Sequence, residues 1–446
     1  MSRPPSRYLQ LLLFLLVFTV PLRSLALFEL PGANLRVPDL VVIAGAVVML
    51  AGWLVRGAEL RLTALDRWLW LFVLYVAVSV LWSLDPAFGA ARAFKFARSL
   101  VFYLLVLQAL ERDYLGSTRI IAAGFAASFA FILPVLARTF SENSTLDLQA
   151  IANVQLASSG ALDVLRTGAL GAGTFAGTVN TLAMWANVGM FLLLGTGWWR
   201  APGLLTRFAF WAALATVVGV QVVTLSRGAW LGMTVGGLWW LWRLRGSVRF
   251  SGWVYLAAVV VLGLTLRWLA GQGLDRLIVA RLESTTEVEA DGSITQRFTF
   301  WQGALRAFAE HPVGGVGMGG GTVVAARNGY KDWFVHNVYL QILYELGLAG
   351  FLVWAVIVAR WLGRAFGVPL AGREWASRVQ LASLQAVSLS LLTMGLTNLD
   401  FTEFEFWLVL AMAAALPATR RVPAAAALRS PGPDGPGLRP AHPRPA

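Results

Sequence analysis

The residues best suited to chemistry are one histidine and three arginines spread between positions 166 and 336. His336 opens HNVYLQILYELGLAG, an apolar stretch that is predicted to be helical and contains one carboxylate, Glu345. Histidine titrates near neutral pH, so His336 is suited to accept or deliver a proton. Arg166, Arg227 and Arg297 are suited to bind phosphate, because a guanidinium contacts phosphate oxygens in a bidentate way and stays charged.

Long apolar runs predict the elements that must position these residues. Hydrophobic residues make up 58% of the 446 residues and charged residues 13%, whereas a soluble domain has about a quarter charged. We predict an all-α integral membrane protein with about twelve transmembrane helices. The predicted spans are 8–28, 38–55, 66–84, 94–111, 118–137, 171–196, 203–224, 228–242, 252–270, 336–362, 378–397 and 402–419. The first is interpreted as an anchor, because no small-x-small cleavage site follows it.

The distribution of arginine predicts the orientation in the membrane. If the N-terminus is cytoplasmic, alternate loops carry the arginines, beginning with Arg3 and Arg7 and ending with Arg420 and Arg421. Positive charge is enriched in cytoplasmic loops. This pattern predicts that both termini are cytoplasmic, and it explains the net charge of +13 without nucleic-acid binding.

Three segments define the predicted organisation of the chain. Residues 1–422 form a polytopic membrane domain, within which 271–335 is a larger outer loop region between spans nine and ten. A second polar stretch on the outer side covers 138–170. The tail, 423–446, consists mainly of Ala, Pro, Gly and Arg and is predicted to be disordered on the cytoplasmic side.

On this topology the three arginines lie at the outer face, where basic residues are normally depleted. Taken singly, Arg166 and Arg297 are better explained as solvated loop residues. Arg227 lies in a short turn near membrane depth, where an arginine is costly unless it is paired or functional. Carboxylates near the outer ends of the last spans offer it a structural alternative: Asp400, Glu403 or Glu405.

The histidine and the carboxylate of the HNVYLQ stretch also have structural alternatives. A helix cap or a hydrogen bond explains His336 as well as catalysis does. Glu345 follows nine residues later, which places it on roughly the opposite face of a helix. We therefore expect Glu345 to serve in packing or in a polar network.

Neither a phosphate loop nor a metal site is predicted. The glycine-rich run HPVGGVGMGGGT, 311–322, lacks the GK[ST] ending and follows no predicted strand. Its glycines indicate tight backbone turns. The chain has no cysteine, no DxD and no HExxH, and Asp39, Asp85 and Asp400 are isolated in the sequence. We expect no metal and no cofactor.

Five sequence motifs, in this order, resemble the O-antigen ligase and polymerase family of bacterial envelope glycosyltransferases. They are RTGALGAGTFAGTVNTLA, TLSRGAWLG, QRFTFW, HPVGGVGMG and HNVYLQILYELGLAG, and they extend from Arg166 to Gly350. The last motif is the most specific, and SRG with its trailing glycine is moderately so. The resemblance implies a GT-C-like enzyme that takes its glycan from a polyprenyl (undecaprenyl) diphosphate carrier at the periplasmic face of the bacterial inner membrane.

The resemblance also implies roles for individual residues. His336 would be the catalytic histidine that activates the acceptor hydroxyl, and Arg227 and Arg297 would hold the diphosphate. Arg166 is a weaker match to the same role. The possible supporting residues are Asn180, Asn337, Tyr339 and Glu345. The AGTVN phrase departs from the family's usual Gly-Asn-x-Asn pattern, so the assignment of Asn180 is the weakest.

The favoured function is an O-antigen ligase that transfers the glycan to a sugar hydroxyl of lipid A–core. A repeat-unit polymerase would use the same donor and another lipid-linked glycan as acceptor. A protein-directed oligosaccharyltransferase is disfavoured, because the outer loop is modest and no second soluble domain follows. A lipid-linked glycan transporter or flippase would place its polar residues near the bilayer midplane, often with repeat symmetry. Here they collect at one face, which favours an enzyme.

Overall fold

The computed structural model describes residues 7–24, 26–30, 33–56, 60–143, 179–224, 226–245, 292–329, 335–370, 374–397 and 400–416. These residues are mainly helical, as the sequence predicts. Their α-helices are α1 Arg7–Phe18, α2 Val37–Arg56, α3 Asp66–Ser79, α4 Pro86–Leu110, α5 Tyr114–Asn143, α6 Val179–Thr196, α7 Leu204–Val223, α8 Arg227–Leu244, α9 Gly292–Glu310, α10 Gly321–Arg327, α11 Val338–Phe366, α12 Trp375–Gly395 and α13 Phe404–Ala414.

The first predicted span is not one continuous helix. Helix α1 ends at Phe18 and is followed by a short 3₁₀ helix, Val20–Ser24. Pro21 lacks the backbone N–H that an α-helix needs at this position. An antiparallel hairpin follows, with β1 Ala26–Leu30 paired to β2 Ala33–Arg36. The described chain is therefore mainly helical, as the sequence predicts, with this short hairpin as an addition after α1.

Five helical segments are long and apolar enough to cross a membrane, within the described residues. They are Val37–Val55, Pro86–Leu110, Asn180–Arg200, Leu204–Gln221 and Val338–Phe366. Helices α1 and α13 are apolar but shorter. The predicted ninth span, 252–270, and the tail, 423–446, lie outside the described residues, as do residues 271–291 and 330–334 of the large outer loop region. A multi-pass membrane protein is supported, and the count of twelve spans stays a prediction.

The centre of the bundle is formed by α8 and α12, which lie against each other and against α6. Two glycines of α8, Gly232 and Gly236, allow this close approach. A Cβ at Gly232 would lie 2.8 Å from the carbonyl oxygen of Ser390, and one at Gly236 would lie 2.7 Å from that of Ala386. Small residues four apart are typical of tightly packed membrane helices. This contact fixes the position of Arg227, the first residue of α8.

Helix α4 packs on α13 through aromatic side chains and one polar contact. The rings of Phe102 and Phe404 are 4.7 Å apart, and the Ser99 hydroxyl donates to the carbonyl of Thr402 at 2.8 Å. By contrast, apolar side chains of α2 and α3, such as Val48 and Leu74, are exposed. Exposed apolar faces on long helices suit contact with lipid.

Candidate active site

Residues 311–320, here called the glycine loop, lie between the α3–α4 turn and α11 and form hydrogen bonds to both. The Val316 N–H donates to the carbonyl of Tyr344 at 2.9 Å, and its carbonyl accepts from the Leu84 N–H at 3.1 Å. The Ser83 hydroxyl donates to the Met318 carbonyl at 2.7 Å. The loop is therefore held on both sides by backbone hydrogen bonds.

Helix α11 is broken at Gly347, whose backbone angles are φ 64° and ψ −170°. The glycine loop enters this break. The Leu348 N–H donates to the Pro312 carbonyl at 2.8 Å, and the Ala349 N–H donates to the Val313 carbonyl at 3.2 Å. These carbonyls satisfy the N–H groups at the start of the second half of α11. The continuous span predicted over 336–362 is thus two helical segments, because its interior hydrogen bonds are replaced by bonds to the loop.

Backbone N–H groups of the glycine loop donate to other protein groups, and the loop forms the tight turns that the sequence predicts. The Gly315 N–H donates to the His311 carbonyl at 3.0 Å, and the Met318 N–H donates to the Ser79 hydroxyl at 3.2 Å. Gly317 has φ 81°, and a Cβ there would lie 2.4 Å from the Cα of Ser83. These amides serve the fold and are not arranged to hold a phosphate.

His336 lies outside helix α11, in a left-handed backbone conformation with φ 54°. On one side, the Val335 N–H donates to the side-chain oxygen of Gln341 at 3.2 Å, and the Val335 carbonyl accepts from the indole of Trp301 at 2.9 Å. On the other side, Asn337 is the N-cap of α11, and its side chain accepts from the Leu340 N–H at 3.1 Å. The backbone of His336 is therefore fixed from both neighbours.

This placement corrects two expectations about His336 and shows that Asn337 of the same motif caps the helix. The sequence predicts that His336 opens the helix, whereas Asn337 caps it and Val338 begins it. The helical-face argument that separated His336 from Glu345 does not apply, because His336 is not helical. The conformation of His336 is uncommon for a residue with a side chain and is typical of constrained positions.

The C-terminal end of α12 lies between the start of α11 and the start of α8. The Tyr339 hydroxyl donates to the Leu392 carbonyl at 2.6 Å, and a Cβ at Gly395 would lie 3.2 Å from the Tyr339 ring. Two residues further on, Thr397 lies so close to Gly228 that a Cβ there would be 2.0 Å from its hydroxyl oxygen. The segments that carry His336 and Arg227 are thus brought to the same end of one helix.

Asn180 supports the turn that presents Arg227. The Ser226 hydroxyl donates to the side-chain oxygen of Asn180 at 2.9 Å, and Ser226 is the residue that precedes α8. A second asparagine of α6, Asn187, donates to the Ala229 carbonyl at 2.8 Å. Asn180 therefore contacts Ser226, the residue that precedes Arg227.

Arg297 lies on α9, one helical turn before Trp301. Residues four apart on a helix share a face, and the Trp301 indole binds the carbonyl of Val335, the residue before His336. Helix α9 also buries Phe300 against Tyr344 and Val335. Arg297 is therefore held on an element anchored to the His336 segment. Arg166 lies outside the described residues, so its position stays a prediction.

A buried ion pair beside the glycine loop is absent from the sequence-based site. Arg92 of α4 contacts Asp400 at 3.4 Å and lies 3.3 Å from the sulfur of Met318. Asp400, offered above as a partner for Arg227, is thus paired with Arg92. Burial alone would raise the pKa of the Asp400 carboxyl, but the Arg92 guanidinium, the Thr402 backbone and Lys95 hold that pKa below its ordinary value.

Glu345 serves in a network, as the sequence predicts. Its carboxylate accepts from the Gly321 N–H at 3.3 Å, at the start of α10, and lies within electrostatic reach of Arg92. The signal for Arg92 was available in the sequence: basic residues recur at three-residue intervals inside the apolar run of α4. Such residues within a membrane helix need a partner or a function.

The acidic residues thought to be isolated have partners. Asp39 pairs with Arg98 at 2.8 Å. Asp85 caps α4 by accepting from the Phe88 N–H at 3.1 Å and accepts from the Thr322 hydroxyl at 2.8 Å. Across the described residues, no group of three or more His, Asp or Glu side chains is placed to hold a metal ion.

Several of the sequence-predicted site residues fall within one segment that matches a family model. Residues 211–355 match the family model described as O-antigen ligase. This segment is similar to the O-antigen ligase family. It begins in α7, ends in the second half of α11 and contains Arg227, Arg297 and His336. No curated protein matches the chain. The O-antigen ligase segment supports a membrane glycosyltransferase-like enzyme acting on lipid-linked glycans.

Proposed function

We propose that this protein is an O-antigen ligase-type glycosyltransferase. It moves a glycan from a polyprenyl diphosphate carrier to a sugar hydroxyl of lipid A–core, at the periplasmic face of the inner membrane. The observation that carries the proposal is the convergence at the C-terminal end of α12. Gly395 packs against Tyr339, three residues after His336, and Thr397 packs against Gly228, next to Arg227.

The proposed reaction needs one proton acceptor and one cationic site. The acceptor hydroxyl oxygen attacks the anomeric carbon of the donor glycan and gives its proton to the imidazole of His336. The bond from the anomeric carbon to the diphosphate oxygen breaks, and its electron pair leaves with the diphosphate. Arg227 and Arg297 stabilise the charge that develops on this leaving group.

The proposed catalysis depends mainly on positioning. A diphosphate is already a good leaving group, so alignment of the two substrates and charge stabilisation suffice. The left-handed backbone of His336, fixed by Trp301 and the Asn337 cap, supplies a rigid base. Two guanidiniums can supply the positive charge that a divalent metal supplies in other transferases. We therefore propose that the reaction needs no metal.

The test is transfer by purified protein in detergent with EDTA present. A polyprenyl-diphosphate glycan is the donor, with lipid A–core added to one tube and omitted from the other. His336→Ala is compared with wild type and with His311→Ala, whose side chain is exposed on the glycine loop. We expect glycan on lipid A–core with wild type and with His311→Ala, and none with His336→Ala.

Each other outcome would change the assignment. Longer glycan on the polyprenyl carrier, with lipid A–core unused, would make the protein a repeat-unit polymerase. Full activity of His336→Ala would remove the proposed base. Activity that disappears with EDTA and returns with a divalent cation would refute the metal-free reaction. The absence of any product, with folded protein and intact donor, would favour a lipid-linked glycan transporter.

A further inference from the structure

Helix α4 carries three basic residues at intervals of three, Arg92, Lys95 and Arg98, here called the basic stripe. Positions three apart on a helix are neighbours on its surface. The outer two have carboxylate partners, since Arg92 pairs with Asp400 and Arg98 with Asp39. Lys95 forms no ion pair within 4.0 Å among the residues that the structure describes. The middle charge of the basic stripe is thus the one without a contact counter-ion.

Lys95 is partly buried at the end of the bundle that carries the candidate active site. It lies about 14 Å along α4 from the helix start, at 1.5 Å per residue. Asp400 and Glu403 attract its ammonium from a distance, and Arg92 and Arg36 repel it. Asp400 is already engaged by Arg92. Holding a charge at this depth without a partner is unfavourable, so an anionic ligand would relieve the cost.

The composition of the chain makes the lysine informative. Of 36 basic residues only two are lysine, Lys95 and Lys331. An ammonium is a compact charge with three rotatable donors, whereas a guanidinium is a planar fork that suits bidentate pairing. The basic stripe has the fork at both positions that form an ion pair with a carboxylate, and the compact charge at the position that forms none among the described residues. Lysine at that position suits a phosphate group, to which its ammonium presents a point charge.

Lys95 lies near the proposed donor site but on a different helix from Arg227. Lys95 lies one helical turn along α4 from Arg92, which contacts Asp400 in the α12–α13 connection. The start of α8, which carries Arg227, approaches the same connection where Gly228 contacts Thr397. Asp400 and Thr397 are three residues apart. Two cationic positions thus approach one short connection from different helices.

We propose that Lys95 binds a phosphate group of the lipid acceptor, as a second phosphate position beside the one for the donor diphosphate. The inference rests on the proposed function, since a transferase between two lipids must hold both at once. An anionic phospholipid headgroup offers the same phosphate chemistry, so the experiment separates it from the acceptor.

The test measures the reactivity of the Lys95 amine and requires no transfer. In a Lys331→Arg background, Lys95 carries the chain's one remaining lysine amine. Full-length protein in phosphatidylcholine nanodiscs is treated with acetic anhydride, and Lys95 acetylation is followed by peptide mass spectrometry. The probes are lipid A with its phosphates, phosphatase-treated lipid A, phosphatidylglycerol and polyprenyl diphosphate.

We expect lipid A with its phosphates to slow acetylation of Lys95 at least tenfold, and the other three probes to leave the rate unchanged. Equal protection by phosphatidylglycerol would overturn the assignment to the acceptor. Protection by polyprenyl diphosphate would place Lys95 in the donor site and also overturn the proposal. An unchanged rate with every probe would eliminate the site. Protection without glycan transfer would leave this site standing while the proposed function fails.

Kinetics supply a second, independent test. Lys95→Met should raise the KM for phosphorylated acceptor about tenfold, which corresponds to the loss of one charge-assisted contact. The KM for donor and kcat should change little. Lys95→Arg, which keeps the charge, should restore most of the acceptor affinity. A fall in kcat with an unchanged acceptor KM would contradict binding and assign Lys95 to the fold instead.

Discussion

Gly347 offers the sharpest test of how the candidate site is held. Its φ of 64° and ψ of −170° belong to a region that is open essentially only to glycine. A Cβ at this position would lie 2.2 Å from the carbonyl oxygen of Val313 and 2.5 Å from the amide nitrogen of Gly315. Gly347→Ala must therefore both strain its own backbone and displace the glycine loop.

The cost of this substitution follows from the structure. The strained conformation accounts for about 1–3 kcal/mol. Displacing the loop weakens the hydrogen bonds from Leu348 to Pro312 and from Ala349 to Val313, at about 1 kcal/mol each. The total is about 3–5 kcal/mol, which is a large part of the stability of a typical domain. Because the first half of α11 follows His336, we also expect transfer activity to be lost.

Gly363→Ala, in the same helix, is the matched control. A Cβ at Gly363 would meet nothing within 4 Å, so alanine should be neutral or stabilise the helix by up to about 1 kcal/mol. The assay is thermal unfolding of detergent-solubilised protein followed by tryptophan fluorescence, together with glycan transfer at a permissive temperature. Equal Tm and activity for the two variants would refute the assigned break in α11.

Two further predictions concern the contacts around the site. Because the pKa of Asp400 is depressed, its pairing with Arg92 contributes fully to stability above the ordinary carboxyl pKa of 3.8, and this stability is lost as the pH falls below that value. Asp400→Asn should lower Tm by an amount equivalent to about 3 kcal/mol near neutral pH and remove this loss of stability in acid. A variant whose stability falls in acid as the wild type's does would contradict the pairing. Gly228→Ala should reduce transfer because its methyl group would strike Thr397, and Gly228→Ala with Thr397→Ala should recover activity; if the double variant is no better than the single one, the contact does not explain the loss.

The sequence predicted the helices of the described chain well because their apolar runs are long. It predicted that Arg166, Arg227, Arg297 and His336 lie at one face, and the described segments that carry Arg227 and His336 do meet at one end of α12. The break in α11 could not be predicted, because LYELGLAG has no proline and reads as a continuous apolar helix. Its cause is tertiary, since residues 312 and 313 supply the replacement hydrogen bonds.

The ion pair between Arg92 and Asp400 was missed for a related reason. Its partners are 308 residues apart, and no local pattern links two charges over that distance. The spacing of Arg92, Lys95 and Arg98 in an apolar helix is visible in the sequence, but it does not identify their partners. The prediction of one continuous helix over the first span was wrong near Pro21, because the length of the apolar run gave no sign of a local interruption of the helix.

The glycine loop has a consequence for how the protein is made. It binds a turn that precedes it by more than two hundred residues, since Ser83 and Met318 are 235 positions apart. Chains are synthesised from the N-terminus, and early segments fold before later ones exist. The α3–α4 turn is therefore in the membrane well before the ribosome reaches the loop. The segments that support His336 are complete only when the last third of the chain has been translated. A nascent chain that stalls earlier can occupy the bilayer but lacks the segments that hold His336 in place.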